Sequence, residues 1–226
     1  MKKKYMKCFA AVLAAALLLT MFCTGCQSGG DNGNPEGLLL SLSFDEGSGN
    51  QVQDGAEQVR PSEVAYNFTN AVYSDSRDPE WRTGVEGASL LFDGNSNYIS
   101  YSPEELLVQG EAFTVSVWVA PRAFEWDGPD NEANGTEHLT AIVGQYDKDK
   151  KQGFILGYQR FGKLFFQAGT GEEWISVSSG DERLAKDQWN HVAASFDGKN
   201  GTVTLYLNGQ PVGEKSITAG ASIAPR

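Results

Sequence analysis

Adjacent acidic residues are the first groups in this sequence with the right type for chemistry. They form four pairs, Asp45-Glu46, Glu104-Glu105, Glu172-Glu173 and Asp181-Glu182. Hydrolysis of a glycosidic bond needs two carboxyl groups that flank that bond, whereas neighbours along a strand point to opposite faces of the sheet. Most of these pairs also flank turn residues. They therefore predict solvated loops, and we expect no catalytic residue in this chain.

Histidine and cysteine offer little more. His138 and His191 are the only histidines, and His191 alternates with apolar neighbours as a structural strand residue does. All three cysteines lie within the first 26 residues. The rest of the chain therefore contains neither a disulfide nor a cysteine-based metal site.

Aromatic residues in polar surroundings are candidates for carbohydrate binding, since a sugar ring needs an aromatic platform and a few polar groups. Trp126 lies in a long polar stretch, and Trp174 follows two acids beside a Gly-rich turn. Trp118 lies on the half-polar side of an alternating segment, and Tyr146 and Tyr158 are further candidates. Packing within the fold is the alternative for each of them, and for Trp118 it is the favoured one.

The first 26 residues resemble an export signal with a lipid attachment site. A basic start precedes an apolar stretch over residues 8–22, which is too short to span a membrane as a helix. The segment Cys23-Thr24-Gly25-Cys26 resembles the lipobox of bacterial lipoproteins, which implies that Cys26 is lipidated. We predict a signal peptide over 1–25, a flexible tether over 26–37, and an exported protein anchored in the cell membrane and facing outward. Ordinary secretion is the alternative.

The chain is acidic, with a net charge of −11. Four lysines and no acid precede Cys26, which leaves 14 basic and 29 acidic residues in the remainder. Such a surface repels nucleic acid and anionic lipid. We expect no nucleic-acid partner, and membrane contact only through the lipid anchor.

From residue 38 onward, short apolar runs alternate with turn residues. Residues 112–120 alternate apolar and polar side chains, which is the period of a strand with one buried face. Asn208-Gly209 is a strong signal for a two-residue hairpin turn. Together they favour one all-β domain over residues 38–226. The expected strands cover residues 38–44, 88–92, 98–101, 112–120, 139–146, 153–159, 164–168, 174–178, 189–196, 202–207 and 211–217.

Five segments in order carry a family resemblance. They are residues 44–49 (FDEGSG), 85–94 (VEGASLLFDG), 113–119 (FTVSVWV), 188–193 (QWNHVA) and 205–209 (LYLNG). The set resembles the laminin G-like domains of the concanavalin A-like lectin and glucanase superfamily, whose W-H-H-V-A segment has a histidine where this chain has Asn190. The resemblance implies an antiparallel jelly-roll sandwich of two sheets.

The resemblance implies three further features. Laminin G-like domains often hold a structural calcium ion near the first turn, which makes Asp45 and Asp93 the candidate ligands; solvated loops are the alternative. The family's closing Ile-Asp-Glu-Val-Arg-like strand has no counterpart before Arg226, so we expect a sandwich without its closing C-terminal strand, in a fragment of a longer protein. The Glu-x-Asp-x-x-Glu string of family 16 hydrolases is absent.

Three functions remain open at this point. The first is a non-catalytic, surface-tethered module that binds carbohydrate. The second is the accessory N-terminal domain of a secreted glycoside hydrolase, because residues 112–159 resemble modules that precede family 32 enzymes, which cleave fructans and sucrose. The third is an adhesion domain for a protein partner.

Overall fold

The computed structural model describes residues 37–56, 61–66, 79–94, 96–102, 106–124 and 139–226. These ranges contain 14 strands and one short 3-10 helix, Arg160–Gly162, but no α-helix. No helix within them is long and apolar enough to cross a membrane. The strands are β1 (Gln51–Gln53), β2 (Pro61–Glu63), β3 (Ala65–Tyr66), β4 (Glu80–Thr83), β5 (Ala88–Leu91), β6 (Asn97–Tyr98), β7 (Ala112–Val119), β8 (Thr140–Asp147), β9 (Gln152–Tyr158), β10 (Lys163–Thr170), β11 (Trp174–Arg183), β12 (Asn190–Asp197), β13 (Thr202–Leu207) and β14 (Gln210–Ser216).

Two four-stranded antiparallel sheets form the main body of the fold. The front sheet has the order β11-β10-β9-β8, and the back sheet has the order β14-β13-β12-β7. Three two-stranded sheets, β1-β2, β3-β6 and β4-β5, precede them in the chain. The predicted class, an all-β sandwich of two antiparallel sheets, is confirmed.

The core lies between the inner faces of the front and back sheets. Alternate residues of each strand point inward, as the period of two requires, and each large apolar side chain that is fully buried contributes about 1.5–3 kcal/mol. The buried set includes Phe154, Leu156, Leu164, Phe166, Ile175 and Val177 from the front sheet, and Val192, Ala194, Phe196, Val203 and Leu205 from the back sheet.

Two hairpin turns fix the register of the back sheet. Asn208 and Gly209 have φ values of 51° and 77°, the left-handed pair that a type I′ turn requires, so the predicted turn is confirmed. The Asn208 side-chain oxygen also accepts the His191 N–H at 2.9 Å. In the β12–β13 turn, the Asp197 carboxylate accepts the side-chain and backbone N–H groups of Asn200 at 2.7 and 2.9 Å. These bonds hold the pKa of Asp197 below its ordinary value.

The strand predicted over residues 38–44 is wrong. Only Leu42 makes an isolated bridge there, to Asp54. The Ser41 N–H donates to the buried Asp54 carboxylate at 2.9 Å, and the Ser41 carbonyl accepts the Gly55 N–H at 2.7 Å. Backbone groups that a ladder needs are thus bound to a neighbouring turn instead.

The segment around Ile223 closes one end of the sandwich. Ile223 is buried in the core and bridges to Gly110. The Ala224 carbonyl accepts the Gly153 N–H at 2.8 Å, and the Ala224 N–H donates to the Gly169 carbonyl at 3.0 Å. This segment therefore connects to the front sheet through the backbone.

The β9–β10 hairpin places an unusual residue at its tip. Phe161 adopts φ 56° and ψ 26° and is 57% exposed. A bulky residue in the left-handed region is strained, whereas asparagine visits that region readily.

We expect Phe161→Asn to raise the free energy of unfolding by about 0.5–1 kcal/mol, measured by urea denaturation. Phe161→Val is the control and should lower the free energy of unfolding, because a β-branched residue fits the left-handed region worst. If the valine variant is as stable as the asparagine variant, the backbone at Phe161 is not strained.

Candidate functional site

Two of the aromatic candidates lie on the outer face of the front sheet, one on each edge strand. Tyr146 on β8 pairs with Gly153, Gly153 pairs with Gly169, and Gly169 pairs with Trp174 on β11. Paired residues point to the same face of a sheet, so the four form one row across it. With strands about 4.8 Å apart, the row separates the two aromatic positions by about 14 Å of backbone.

Local packing fixes the orientation of Trp174. Its ring N–H donates to the Lys148 carbonyl at 3.1 Å, which ties the indole to the β8–β9 turn. A Cβ atom on Gly169 would lie 2.2 Å from the Lys151 carbonyl oxygen, so glycine is needed where this turn folds onto the row. The Lys151 ammonium donates to the Glu172 carbonyl at 2.5 Å. The ring is therefore held in one place and remains half-buried.

Polar side chains lie beside the aromatic row. Gln167 and Ser176 are paired in the next row, and the Gln167 amide donates to the Ser176 hydroxyl at 3.0 Å. Ser178, one row further, is exposed, while Ile155 and Phe165 on the same face are buried. The centre of this face is therefore closed to solvent, and its accessible polar groups lie along β11, where Ser176 and Ser178 are exposed. None of the side chains named in these rows is a carboxylate, so they offer no pair for acid–base catalysis.

The other aromatic candidates lie elsewhere. Tyr158 points to the core side of β9, where its ring meets Phe124 edge-on at 5.8 Å. Trp118 lies on the outer face of the back sheet beside His191, with ring centroids 5.1 Å apart. Trp126 falls outside the described residues. Tyr146 and Trp174 thus lie on the same face of the front sheet, whereas Tyr158 and Trp118 lie on other faces.

The two predicted calcium ligands lie in different turns. The Asp93 carboxylate accepts hydrogen bonds from the Ser96 N–H at 2.7 Å, the Asn97 N–H at 3.2 Å and the Ser96 hydroxyl. Asp45 accepts the Ala88 N–H at 3.4 Å. Calcium takes roughly six to eight oxygen ligands, and across the described ranges no three acidic, histidine or cysteine side chains come close enough to hold a metal. The donor set observed does not by itself fit the ion, and the calcium site stays a prediction.

Some residues of this face were not among the sequence candidates. Gln167, Ser176 and Ser178 were missed, although the alternation of Trp174, Ser176 and Ser178 with buried residues was a usable signal. No local sequence signal identified Gln167, because its position beside Ser176 depends on the pairing of β10 with β11. Cys26, the predicted lipidation site, lies outside the described residues.

A family model for the concanavalin A-like lectin/glucanases superfamily matches residues 93–225. That is more than half of the chain, and the chain belongs to this superfamily. The predicted laminin G-like resemblance is thereby confirmed, and the segments 113–119, 188–193 and 205–209 lie within the matched residues. Curated protein sequences give no match.

The solved structures that are similar to this chain include the following three. Domain 4 of AbnA, a GH43 extracellular arabinanase from Geobacillus stearothermophilus in complex with arabinotriose, is 20% identical over 82% of this chain and 84% of that chain, with a TM-score of 0.49. A SAP-like pentraxin from Limulus polyphemus is 18% identical over 53% and 50%, with a TM-score of 0.36. The carbohydrate-binding module CBM66 from Bacillus subtilis is 15% identical over 65% and 81%, with a TM-score of 0.34.

Proposed function

We propose that this chain is a non-catalytic module that binds carbohydrate through the outer face of its front sheet. One observation carries the proposal: Tyr146 and Trp174 share a face with the polar side chains of Gln167, Ser176 and Ser178. The lipobox-like segment that ends at residue 26 supports a further part of the proposal, that the module is tethered to the outer surface of a cell.

The chemistry of a neutral sugar matches this face. The C–H groups of a pyranose or furanose ring pack against an aromatic side chain, and its hydroxyls need a few fixed polar partners. The ring of Trp174 is already held by Lys148, so little conformational freedom is lost when a ligand binds. Tyr146 and Trp174 lie about 14 Å apart, with the β8–β9 turn against Gly169 between them. A ligand that contacts both must be longer than one sugar ring, which favours an oligosaccharide. The net charge of −11 disfavours anionic ligands.

Trp174→Ala and Tyr146→Ala should each weaken polysaccharide binding about tenfold, because truncating an aromatic side chain that contacts the ligand costs about 1.4 kcal/mol. The measurement is affinity gel electrophoresis of the mature chain in gels that contain inulin, levan, arabinan or xylan. Inulin and levan test the fructan-related alternative directly.

Phe161→Ala is the matched control for these variants, since it removes an exposed aromatic ring from a hairpin tip. It should bind like the unaltered chain. Near-ultraviolet circular dichroism verifies that each variant is folded. The proposal is wrong if none of the four polysaccharides retains the unaltered chain. It is also wrong if Trp174→Ala and Tyr146→Ala are both retained as strongly as the unaltered chain.

A further inference from the structure

The outer face of the back sheet carries a second group of exposed aromatic residues. Trp118 is 50% exposed and pairs with His191, whose ring lies 5.1 Å from the indole. Trp189, two residues before His191, is 37% exposed. Tyr206 pairs with Ala193, the next outward residue of β12. Because the inner faces of both sheets enclose the core, this group lies on the opposite side of the sandwich from Tyr146.

Hydroxyl side chains continue this face along the sheet. Ser116 pairs with Ala193 in the row next to Trp118, and Thr114, Ser195 and Thr204 form the row after that. Ser116 and Thr114 are exposed. On β14 the second row ends in Glu214, which pairs with the buried Thr204, and the other side chains named in these two rows are uncharged. The face thus has the same two ingredients as the front-sheet surface, an aromatic group and neighbouring hydroxyls.

Trp118 and His191 form an exposed aromatic pair, a feature that binding surfaces share. The composition of this face selects the ligand. These rows hold no lysine or arginine that could pair with a phosphate or carboxylate, and the chain as a whole is acidic. A neutral glycan fits, since it offers C–H groups to Trp118 and hydroxyls to Ser116 and Thr114.

We infer that the back sheet is a second glycan-binding surface and that one chain binds two glycans at once. The inference rests on the proposed function of the front sheet. Two surfaces on opposite sides of one sandwich cannot contact the same short oligosaccharide. They bind two separate chains, or distant parts of one long chain, and therefore cross-link a polysaccharide.

The test uses the mature chain with inulin, levan, arabinan and xylan, scoring gel retention and the light scattering that cross-linking produces. The unaltered chain should raise the scattering of the polysaccharide that retains it. Trp118→Ala should keep its gel retention, weakened about tenfold, but abolish the rise in scattering. Trp174→Ala should behave in the same way, and the double variant should lose retention altogether. Ser116→Glu is a second variant that charges the exposed face without touching the core, and it should match Trp118→Ala.

Each other result identifies what is wrong. If Trp118→Ala and Ser116→Glu bind and cross-link like the unaltered chain, the second surface is overturned while the front-sheet proposal stands. If Trp174→Ala has no effect while Trp118→Ala abolishes retention, the front-sheet proposal fails and so does the two-site inference. If the unaltered chain elutes as a dimer that Trp118→Ala converts to monomers, the face binds a second copy and the glycan inference is overturned.

Discussion

Replacing Phe166 by alanine should lower the free energy of unfolding by about 3–5 kcal/mol, the usual cost of removing a buried aromatic ring. Phe166 is fully buried, and its ring lies 6.0 Å from that of Phe113 and 6.3 Å from that of Phe154. These three rings come from both sheets, so the cavity opens at the contact between them. Its neighbours on β9 and β11 are held in register by the ladder, which limits how far they can move to fill it.

Urea denaturation followed by tryptophan fluorescence measures this loss. Phe161→Ala makes the same chemical change at a 57% exposed position and should cost less than about 0.5 kcal/mol. The loss for Phe166→Leu should lie between those of Phe166→Ala and Phe161→Ala, because leucine keeps most of the side-chain volume. A loss below about 1 kcal/mol for Phe166→Ala would show that the two sheets are not packed face to face through this ring.

The sequence predicted the strands of the two main sheets well, because their alternation is strong and their turns are explicit. The strand expected over residues 112–120 is Ala112–Val119, and the strand expected over residues 202–207 is Thr202–Leu207. In both, one face must be buried, and a period-two pattern then admits only one orientation. The left-handed pair Asn208-Gly209 fixed the hairpin that follows.

The short strands near the start of the chain could not be predicted in this way. Gln51–Gln53 and Pro61–Glu63 pair with each other. Each strand has only three residues, which is too short for a period-two pattern to identify it. Conversely, the apolar run over residues 38–44 looked like a strand by itself, yet its backbone bonds to the turn at Asp54.

The sequence predicted only part of the candidate site, because the pairing of its strands is not visible in local patterns. Tyr146 and Trp174 were each identified from their local surroundings, but their common row depends on three ladders in succession. A bulge between Ala141 and Val143 shifts the register of the first of these ladders. Tyr146 faces outward because it pairs with Gly153 on β9, whereas Tyr158 lies two residues beyond Leu156 on that strand and faces the core with it.

Replacing Asn190 by alanine should lower the free energy of unfolding by about 2–4 kcal/mol, because several buried polar groups lose their partners at once. Asn190 is 1% exposed and stands where the family segment has a histidine. Its amide donates to the carbonyls of Ala185, Gln188 and Val119 at 2.9, 2.7 and 3.4 Å, and its oxygen accepts the Ala185 N–H at 2.9 Å. One side chain thus joins the end of β7 to the loop that precedes β12.

Asn190→Asp separates the loss of hydrogen bonds from the loss of volume. The carboxylate keeps the acceptor for Ala185 but turns an oxygen toward three carbonyl groups, so at pH 7 this variant should be at least as unstable as Asn190→Ala. Protonation of the new side chain restores a donor. The loss in free energy of unfolding of Asn190→Asp relative to the unaltered chain should therefore shrink as the pH falls toward about 4, near the ordinary pKa of aspartic acid. Urea denaturation at pH 7 and pH 4.5 measures both effects, with Gln188→Ala as an exposed amide control that should cost less than about 0.5 kcal/mol. A loss in Asn190→Asp that is equal at both pH values would show that the amide does not face these carbonyls, and the joint between β7 and β12 would need another explanation.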